Sequence, residues 1–190
     1  MKMAKLTTLI AALAILSACA GKSPETRLYT LDYRATEPLP ELDGDRSIAL
    51  VRLELAEYLE QPGLTMLERQ NQIRIATFHV WGEGLRTALP RALTYDLAKA
   101  CECTVSDPSM SGFAALANNR FEVRVDRFSA TDTSQVVLSG RYWVIGKQGD
   151  RVERYFNLSS DLDQDGYEHA VSKMRELVSL LAERMVADLS

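Results

Sequence analysis

The pattern of apolar residues is clearest at the C-terminal end of the chain. Apolar side chains recur there every three or four positions, the spacing of one face of an α-helix, at Tyr167, Ala170, Val171, Met174, Leu177, Val178, Leu181, Met185 and Leu189. Most charged residues of this stretch, Arg175 among them, fall outside that stripe. The sequence therefore predicts a long amphipathic C-terminal helix.

A second helical stripe follows Trp81 and Gly82. Its apolar members are Leu85, Leu89, Ala92, Leu93, Leu97 and Ala100. Pro90 lies inside this pattern, and a proline in a helix interior removes a backbone hydrogen bond. We expect this helix to be kinked at Pro90 or to begin one turn later than its periodicity indicates.

Shorter apolar runs predict strands. Strict alternation places Phe121, Val123 and Val125 on one buried face of a strand. Residues 47–53 are apolar on both faces and belong inside a sheet. Further strands are predicted at residues 27–33, 135–145 and 152–158, and in a hairpin formed by 65–69 and 72–76. Together these elements predict a single α/β domain, a mixed β-sheet covered by two main helices that include the long C-terminal one.

The N-terminal segment has the pattern of an export signal. Lys2 and Lys5 precede an uncharged run that ends at Leu16-Ser17-Ala18-Cys19. A basic start, a short apolar core and small residues before the cut are typical of a secretory signal, and the run is too short to span a bilayer. The last four residues also resemble a bacterial lipobox. We expect residues 1–18 to be removed and Cys19 to carry diacylglyceryl and N-acyl (palmitate) lipid, the alternative being an ordinary cleaved signal with an incidental cysteine.

Such a modification would fix the protein to a membrane. Two or three long acyl chains contribute on the order of 20 to 30 kcal/mol, at about 0.8 kcal/mol for each buried methylene. Residues 19–26 are small and polar and predict a short lipidated tether, followed by a domain at residues 27–190. The residue after Cys19 is Ala20 rather than an aspartate, which by analogy with bacterial lipoproteins favours the periplasmic face of the outer membrane.

Length and charge limit the classes of partner. The 190 residues, less the signal, are enough for one domain with a substantial core. Removing Lys2 and Lys5 leaves 20 basic and 26 acidic residues, a net charge of −6. Such a balance disfavours nucleic acid and anionic lipid surfaces as partners, so we expect no nucleic-acid binding.

Two cysteines remain after Cys19, at Cys101 and Cys103. On a strand, residues two apart share a face, but their Cα separation lies near the upper limit for a disulfide. A local disulfide stays open, and two buried free thiols are the favoured interpretation. No second pair of ligands with zinc-like spacing follows, so we expect no metal site.

One acidic stretch matches the front of a calcium loop. Asp161, Asp163 and Asp165 occupy the first, third and fifth positions, and a glycine the sixth. The twelfth position, which should supply a bidentate glutamate, is Ser172. We therefore predict a turn in which Asp165 caps the helix that follows.

Neither histidine belongs to a recognised catalytic motif. His79 and His169 have no serine or cysteine motif beside them, and no glycine-rich phosphate loop is present. An envelope hydrolase would require a carboxylate or serine to converge on one of these histidines. A ligand-binding lipoprotein would instead need an apolar cavity, for which Trp81, Phe121 and Trp143 are the candidate lining residues.

The order of these features resembles the ABC-type transport auxiliary lipoproteins of the PqiC/YmbA-like family. The resemblance rests on the lipobox, Tyr29-Thr30-Leu31, residues 48–53 leading to Glu57-Tyr58-Leu59, Leu67-Glu68-Arg69, residues 78–83, residues 121–128, residues 140–145, and a terminal helix opened by Tyr167. It implies a non-enzymatic outer-membrane subunit of an envelope lipid-transport system, with no cofactor. Its implied partners are an MCE-domain protein that bridges the periplasm and an inner-membrane permease, and it implies assembly as a homo-oligomeric ring.

Overall fold

The structure is a computed structural model that describes residues 24–31, 43–69 and 72–189. The predicted signal peptide, Cys19 and the first part of the tether lie outside these residues, as do residues 32 and 33 of the strand predicted at 27–33. Within the described part, that strand ends at Tyr29, two residues before the end of the described segment.

Eight strands and three helices make up the described chain. In order they are β1 (Arg27–Tyr29), β2 (Asp43–Leu55), a 3-10 turn (Glu57–Glu60), β3 (Gly63–Glu68), β4 (Gln72–Trp81), α1 (Leu85–Cys101), β5 (Cys103–Ser106), the short α2 (Ser111–Ala114), β6 (Asn119–Thr131), β7 (Gln135–Ile145), β8 (Arg151–Asp161) and α3 (Tyr167–Ala187). All eight strands join one mixed sheet, which confirms the predicted α/β fold with a long C-terminal helix.

Strand β6 organises the sheet. The antiparallel β7 pairs with β6 from Arg120 to Ala130 and so occupies one of its edges. The other edge is shared, because β2 pairs in parallel with the first half of β6 and β3 pairs in parallel with Ala130 and Thr131. The sheet therefore divides into two branches, one continuing to β5 and the other through β4 to β1.

The two long helices cover one face of the sheet and enclose the core. The predicted inward face of β6 is buried, with Phe121, Val123 and Val125 no more than 1% exposed. Residues of the α1 and α3 stripes join the same hydrophobic cluster. The patterning that predicted these faces is therefore confirmed.

Helix α1 differs from one expectation. It begins at Leu85 and continues through Pro90, so a start one turn later is wrong. Pro90 is the sixth residue of the helix, and its missing N–H removes only the bond that the carbonyl of Arg86 would accept. The surrounding apolar contacts of Leu89 and Leu93, both nearly fully buried, hold this turn in place.

Candidate functional site

The two cysteines form a disulfide that joins α1 to β5. The expectation of two free thiols assumed that Cys101 and Cys103 lie on one strand, and that assumption is wrong. Cys101 ends α1, Glu102 adopts a left-handed conformation with φ of 52°, and Cys103 begins β5. This tight turn brings the two Cα atoms to 5.1 Å, well within the range for a bridge.

The acidic stretch before α3 is used for local contacts. Gln135 donates a hydrogen bond to Asp161, and Asp163 lies 2.7 Å from Nε2 of His169. The N-cap of α3 is Gly166, with φ of 114°, and no side chain caps the helix. The prediction that Asp165 caps the helix is therefore wrong, because the chain enters the helix one residue later. Within the described ranges, no cluster of three or more His, Cys, Asp or Glu side chains is arranged to hold a metal ion.

His79 belongs to an aromatic cluster that fastens β1 to the rest of the domain. Its Nδ1 lies 2.7 Å from the hydroxyl of Tyr29, and its ring stacks on Tyr167 with centroids 3.8 Å apart. We call Tyr29, His79 and Tyr167 the aromatic clamp. A carboxylate does meet one histidine, since Asp163 lies beside His169, so the expectation that none would converge is wrong. Among the residues described, the hydrogen bonds and ion pairs of the two histidines involve no serine or cysteine that could act as a nucleophile.

The three aromatic residues considered as the lining of a ligand-binding cavity lie in different parts of the structure. Trp81 stacks against Phe128 within the core, and Phe121 packs edge-on against Tyr142. Trp143 lies on the opposite face of the sheet, since it pairs with Glu122 and not with the inward Phe121. There it is flanked by the guanidinium groups of Arg141 and Arg151. The strand alternation that buries Phe121 is what separates it from Trp143.

A different cavity opens where the β3–β4 hairpin meets the start of α3. Its volume is about 320 Å³. Seven apolar residues line it: Leu64, Met66, Ala130, Leu162, Tyr167, Ala170 and Met174. Arg74 and Asp165 are the charged residues at this site. We call this site the hairpin cavity, and it shares Tyr167 with the aromatic clamp.

The same hairpin exposes a strand edge. Strand β4 pairs with β3 on one side, but β1 pairs only with residues 79–81 on the other. Residues 72–78 thus have no strand partner on that second side within the described chain; we call them the free edge. Ile73 and Ile75, on one face of this strand, are 42% and 43% exposed, and Phe78 on the other face is 39% exposed.

Arginine and carboxylate side chains occupy two contrasting settings. Between α1 and α3, Arg175 makes a bidentate pair with Asp96, and Ser179 donates a further hydrogen bond of 3.1 Å to Asp96. Arg175 is only 2% exposed, so the prediction that it lies outside the buried face is wrong. On the outer face of the sheet, Arg151 pairs with Glu122 at 2.7 Å in a setting open to water.

Tyr142 is a buried polar group of the inner face. Its hydroxyl donates a hydrogen bond of 2.5 Å to Asp188, just beyond the end of α3. Burial, together with this bond, raises the pKa of Tyr142 above its ordinary value. The neutral phenol is therefore the form that the fold favours.

The family model described as the ABC-type transport auxiliary lipoprotein component matches residues 29–186. The chain belongs to this family. The match spans β1 to α3 and so covers nearly all of the described auxiliary lipoprotein. It is a family of transport auxiliary components and not of enzymes.

Solved structures show the same fold. An uncharacterised protein superposes on this auxiliary lipoprotein with a TM-score of 0.74 and 20% identity, covering 88% of this chain and 100% of its own. A protein from Xanthomonas campestris superposes with a TM-score of 0.58 and 9% identity, covering 86% and 90% of the two chains. At these identities the likeness concerns the fold alone. Comparison with curated protein sequences gives no significant match.

Sequence reasoning missed the hairpin cavity and the buried pair of this auxiliary lipoprotein. The cavity is built from segments of β3, β4, β6 and α3 that are far apart in the chain. Asp96 and Arg175 are 79 residues apart, and neither has a local signal that predicts its partner. In the part of the chain that the structure describes, no helix is both long and apolar enough to cross a membrane.

Proposed function

We propose that this auxiliary lipoprotein is held by acyl chains on Cys19 at the periplasmic face of the outer membrane. There it couples an MCE-domain protein that bridges the periplasm, and through it an inner-membrane permease, to the outer membrane. Its role in this proposal is that of a non-enzymatic adaptor in lipid transport that supports membrane integrity, assembled as a ring of identical copies. The observation that carries the proposal is the family match over residues 29–186, which directly follows a lipobox and short tether.

The position of the tether supports this arrangement. Arg27, the first residue of β1, pairs with His79 of β4, and the tether residues before it lie beside Glu168 and Ser172 of α3. Seven residues between Cys19 and β1 span at most about 25 Å. The domain would therefore sit close to the membrane, with the start of α3 on the anchored side.

The free edge supplies a surface for the bridging partner. Unpaired N–H and C=O groups on an edge strand can accept an added strand from another protein, and alternate side chains then contribute specificity. Ile73 and Ile75 offer apolar contacts on one face of that edge. In the proposed adaptor, the MCE-domain protein docks against this hairpin.

The anchor is tested by Cys19→Ser, with Ser23→Ala as a matched tether variant that keeps the cysteine. Fractionation should show the Cys19→Ser protein released from the outer membrane while Ser23→Ala remains bound, because only the first loses its acyl chains. Pull-down of the MCE-domain partner from outer-membrane fractions should fall in parallel. A Cys19→Ser protein that stays in the membrane and keeps its function would contradict the proposal.

The docking surface is tested by Ile75→Lys. Val152→Lys on β8 is the matched control, since Val152 is 41% exposed on another edge strand. A lysine buried at the centre of an interface should weaken capture of the MCE-domain protein by about tenfold, whereas the control should leave it unchanged. Equal capture by both variants would place the contact elsewhere.

A further inference from the structure

The hairpin cavity has no task in an adaptor that docks through a strand edge. Half of its lining residues are apolar, and three of these, Leu64, Ala170 and Met174, belong to the packed core, being between 2% and 6% exposed. A volume of about 320 Å³ lies at the lower end of the range for ligand sites. Such a space suits one slender apolar chain and not a bulky ring system.

The rim of the cavity carries mixed charge. The Nε atom of Arg74 lies 2.5 Å from Oε1 of Glu68. Its Nη2 donates a hydrogen bond to the sulfur of Met66. Asp165 also borders the cavity and forms no ion pair with any residue that the structure describes. A guanidinium group suits a phosphate, and a carboxylate suits an ammonium group. One cation beside two carboxylates therefore disfavours a headgroup that is only negative.

We infer that the hairpin cavity binds one acyl chain of an amine-bearing, zwitterionic phospholipid, with the phosphate at Arg74 and the ammonium group at Asp165. The inference names a lipid class for the proposed transport role and rests on that role for its biological setting. Tyr167 connects the cavity to the aromatic clamp, so the site lies at the tethered end of the domain. A phospholipid at the membrane surface would meet the cavity there.

The probe is a pair of photoactivatable phospholipids that carry the same diazirine acyl chain. One has a phosphoethanolamine headgroup and the other a phosphoglycerol headgroup, and each is added to the full chain in detergent micelles. Labelling should concentrate on peptides that contain Leu64, Ala170 or Met174. The phosphoethanolamine probe should label them roughly fivefold more than the phosphoglycerol probe, the upper range for one exposed charge contact.

Two variants separate the pocket from the headgroup. Asp165→Asn should reduce the preference between the probes to near unity, whereas Asp150→Asn, in a distant exposed loop, should leave it unchanged. Ala170→Leu should fill the cavity and abolish labelling by both probes at an unchanged unfolding midpoint. If Ala170→Leu fails to fold, Asp165→Asn still tests the headgroup contact. The side chain of Asp165 is exposed, so this substitution should leave the fold intact.

Several outcomes would overturn the inference. Equal labelling by both probes, or labelling spread over exposed apolar residues such as Phe113 and Leu116, would show no lipid-specific site. Labelling that appears only after Cys19→Ser would identify the chain's own acyl group as the occupant. Capture of the MCE-domain protein is measured on the same wild-type preparation. A wild type that captures this partner but is not labelled at the cavity overturns this inference and leaves the adaptor proposal standing.

Discussion

The ion pair between the helices and the ion pairs on the outer face of the sheet use the same chemistry in opposite surroundings. Arg175 and Asp96 are 2% and 6% exposed, whereas the side chains of Arg124 and Asp126 on the outer face are 48% and 44% exposed. Burying two charges costs several kcal/mol for each ion, which their attraction and added hydrogen bonds must offset. Exposed pairs carry little of that cost and contribute little stability.

The fold should be sensitive to mutation at the buried pair and tolerant at the exposed ones. The outer charges keep one face of the sheet wet, and any one of them is dispensable. The inner pair is not, because loss of either partner leaves the other charge buried and alone. We expect the buried pair to fix how α1 and α3 lie against each other.

The largest effect should come from breaking the inner pair. Arg175→Met leaves Asp96 buried without a counter-ion and should lower the free energy of unfolding by about 3 to 5 kcal/mol, as read from urea denaturation. Adding Asp96→Leu should recover most of that loss, since no charge is then left buried. A double variant as unstable as the single one would mean that the pair itself, and not the orphaned charge, provides the stability.

The next effect concerns another buried polar group, the hydroxyl of Tyr142. Replacing it by phenylalanine removes its hydrogen bond to Asp188 and should cost about 1.5 to 3 kcal/mol at neutral pH. Because the folded pKa of Tyr142 is raised, its contribution is complete below the unfolded value near 10.0 and is lost as pH rises toward the folded value. Between the unfolded and the folded pKa, the free energy of unfolding of the wild type should fall by about 1.4 kcal/mol per pH unit.

Urea titrations between neutral and strongly alkaline pH check this prediction. The Tyr142→Phe protein should lack the part of the alkaline slope that belongs to this phenol. Identical slopes for the two proteins would show that other groups cause the alkaline loss.

A smaller effect is expected from the disulfide. The bridge closes a loop of only three residues, so the chain-entropy model gives about 1.5 kcal/mol. The double variant Cys101→Ala and Cys103→Ala should show this loss in urea, and a reducing agent should lower the stability of the wild type but not of the variant. A loss of several kcal/mol more would indicate that the bridge also holds α1 against β5.

The smallest effect should come from the outer face. Arg124→Gln removes the exposed pair with Asp126 and should change stability by less than about 0.5 kcal/mol. This small difference should shrink further as salt is added, because salt screens exposed charges. Arg175→Gln is the matched substitution at the buried site and should be far more destabilising. Similar losses of unfolding free energy in the two variants would show that burial does not change what an ion pair contributes to this fold.

Much of the fold could be predicted because its signals are local. The strand predicted at residues 135–145 has those same bounds in β7, and the apolar stripe of the last helix matches the buried side of α3. Regular periodicity in an uninterrupted segment is sufficient for that. The predicted hairpin is also present, with β3 and β4 antiparallel around residues 70 and 71.

The remaining features depend on geometry that spacing does not encode. The disulfide requires a left-handed Glu102, a conformation that its sequence does not announce. A helical projection places Arg175 outside the apolar stripe of α3. Its burial depends on the ion pair with Asp96, which lies on α1. The hairpin cavity exists because separate segments fail to fill the space between them, and no single segment carries that information.

The three-residue ladder of β1 has a mechanical consequence. Arg27, Leu28 and Tyr29 pair in parallel with His79, Val80 and Trp81, and Gly82 adds a bond of 2.7 Å to the carbonyl of Tyr29. A pull applied through the residues just before Arg27 runs along the strand, so these bonds are loaded together in shear and do not open one after another like a zipper. The hydrogen bonds between β1 and β4 therefore bear a force applied through the tether before it reaches the other strands of the sheet.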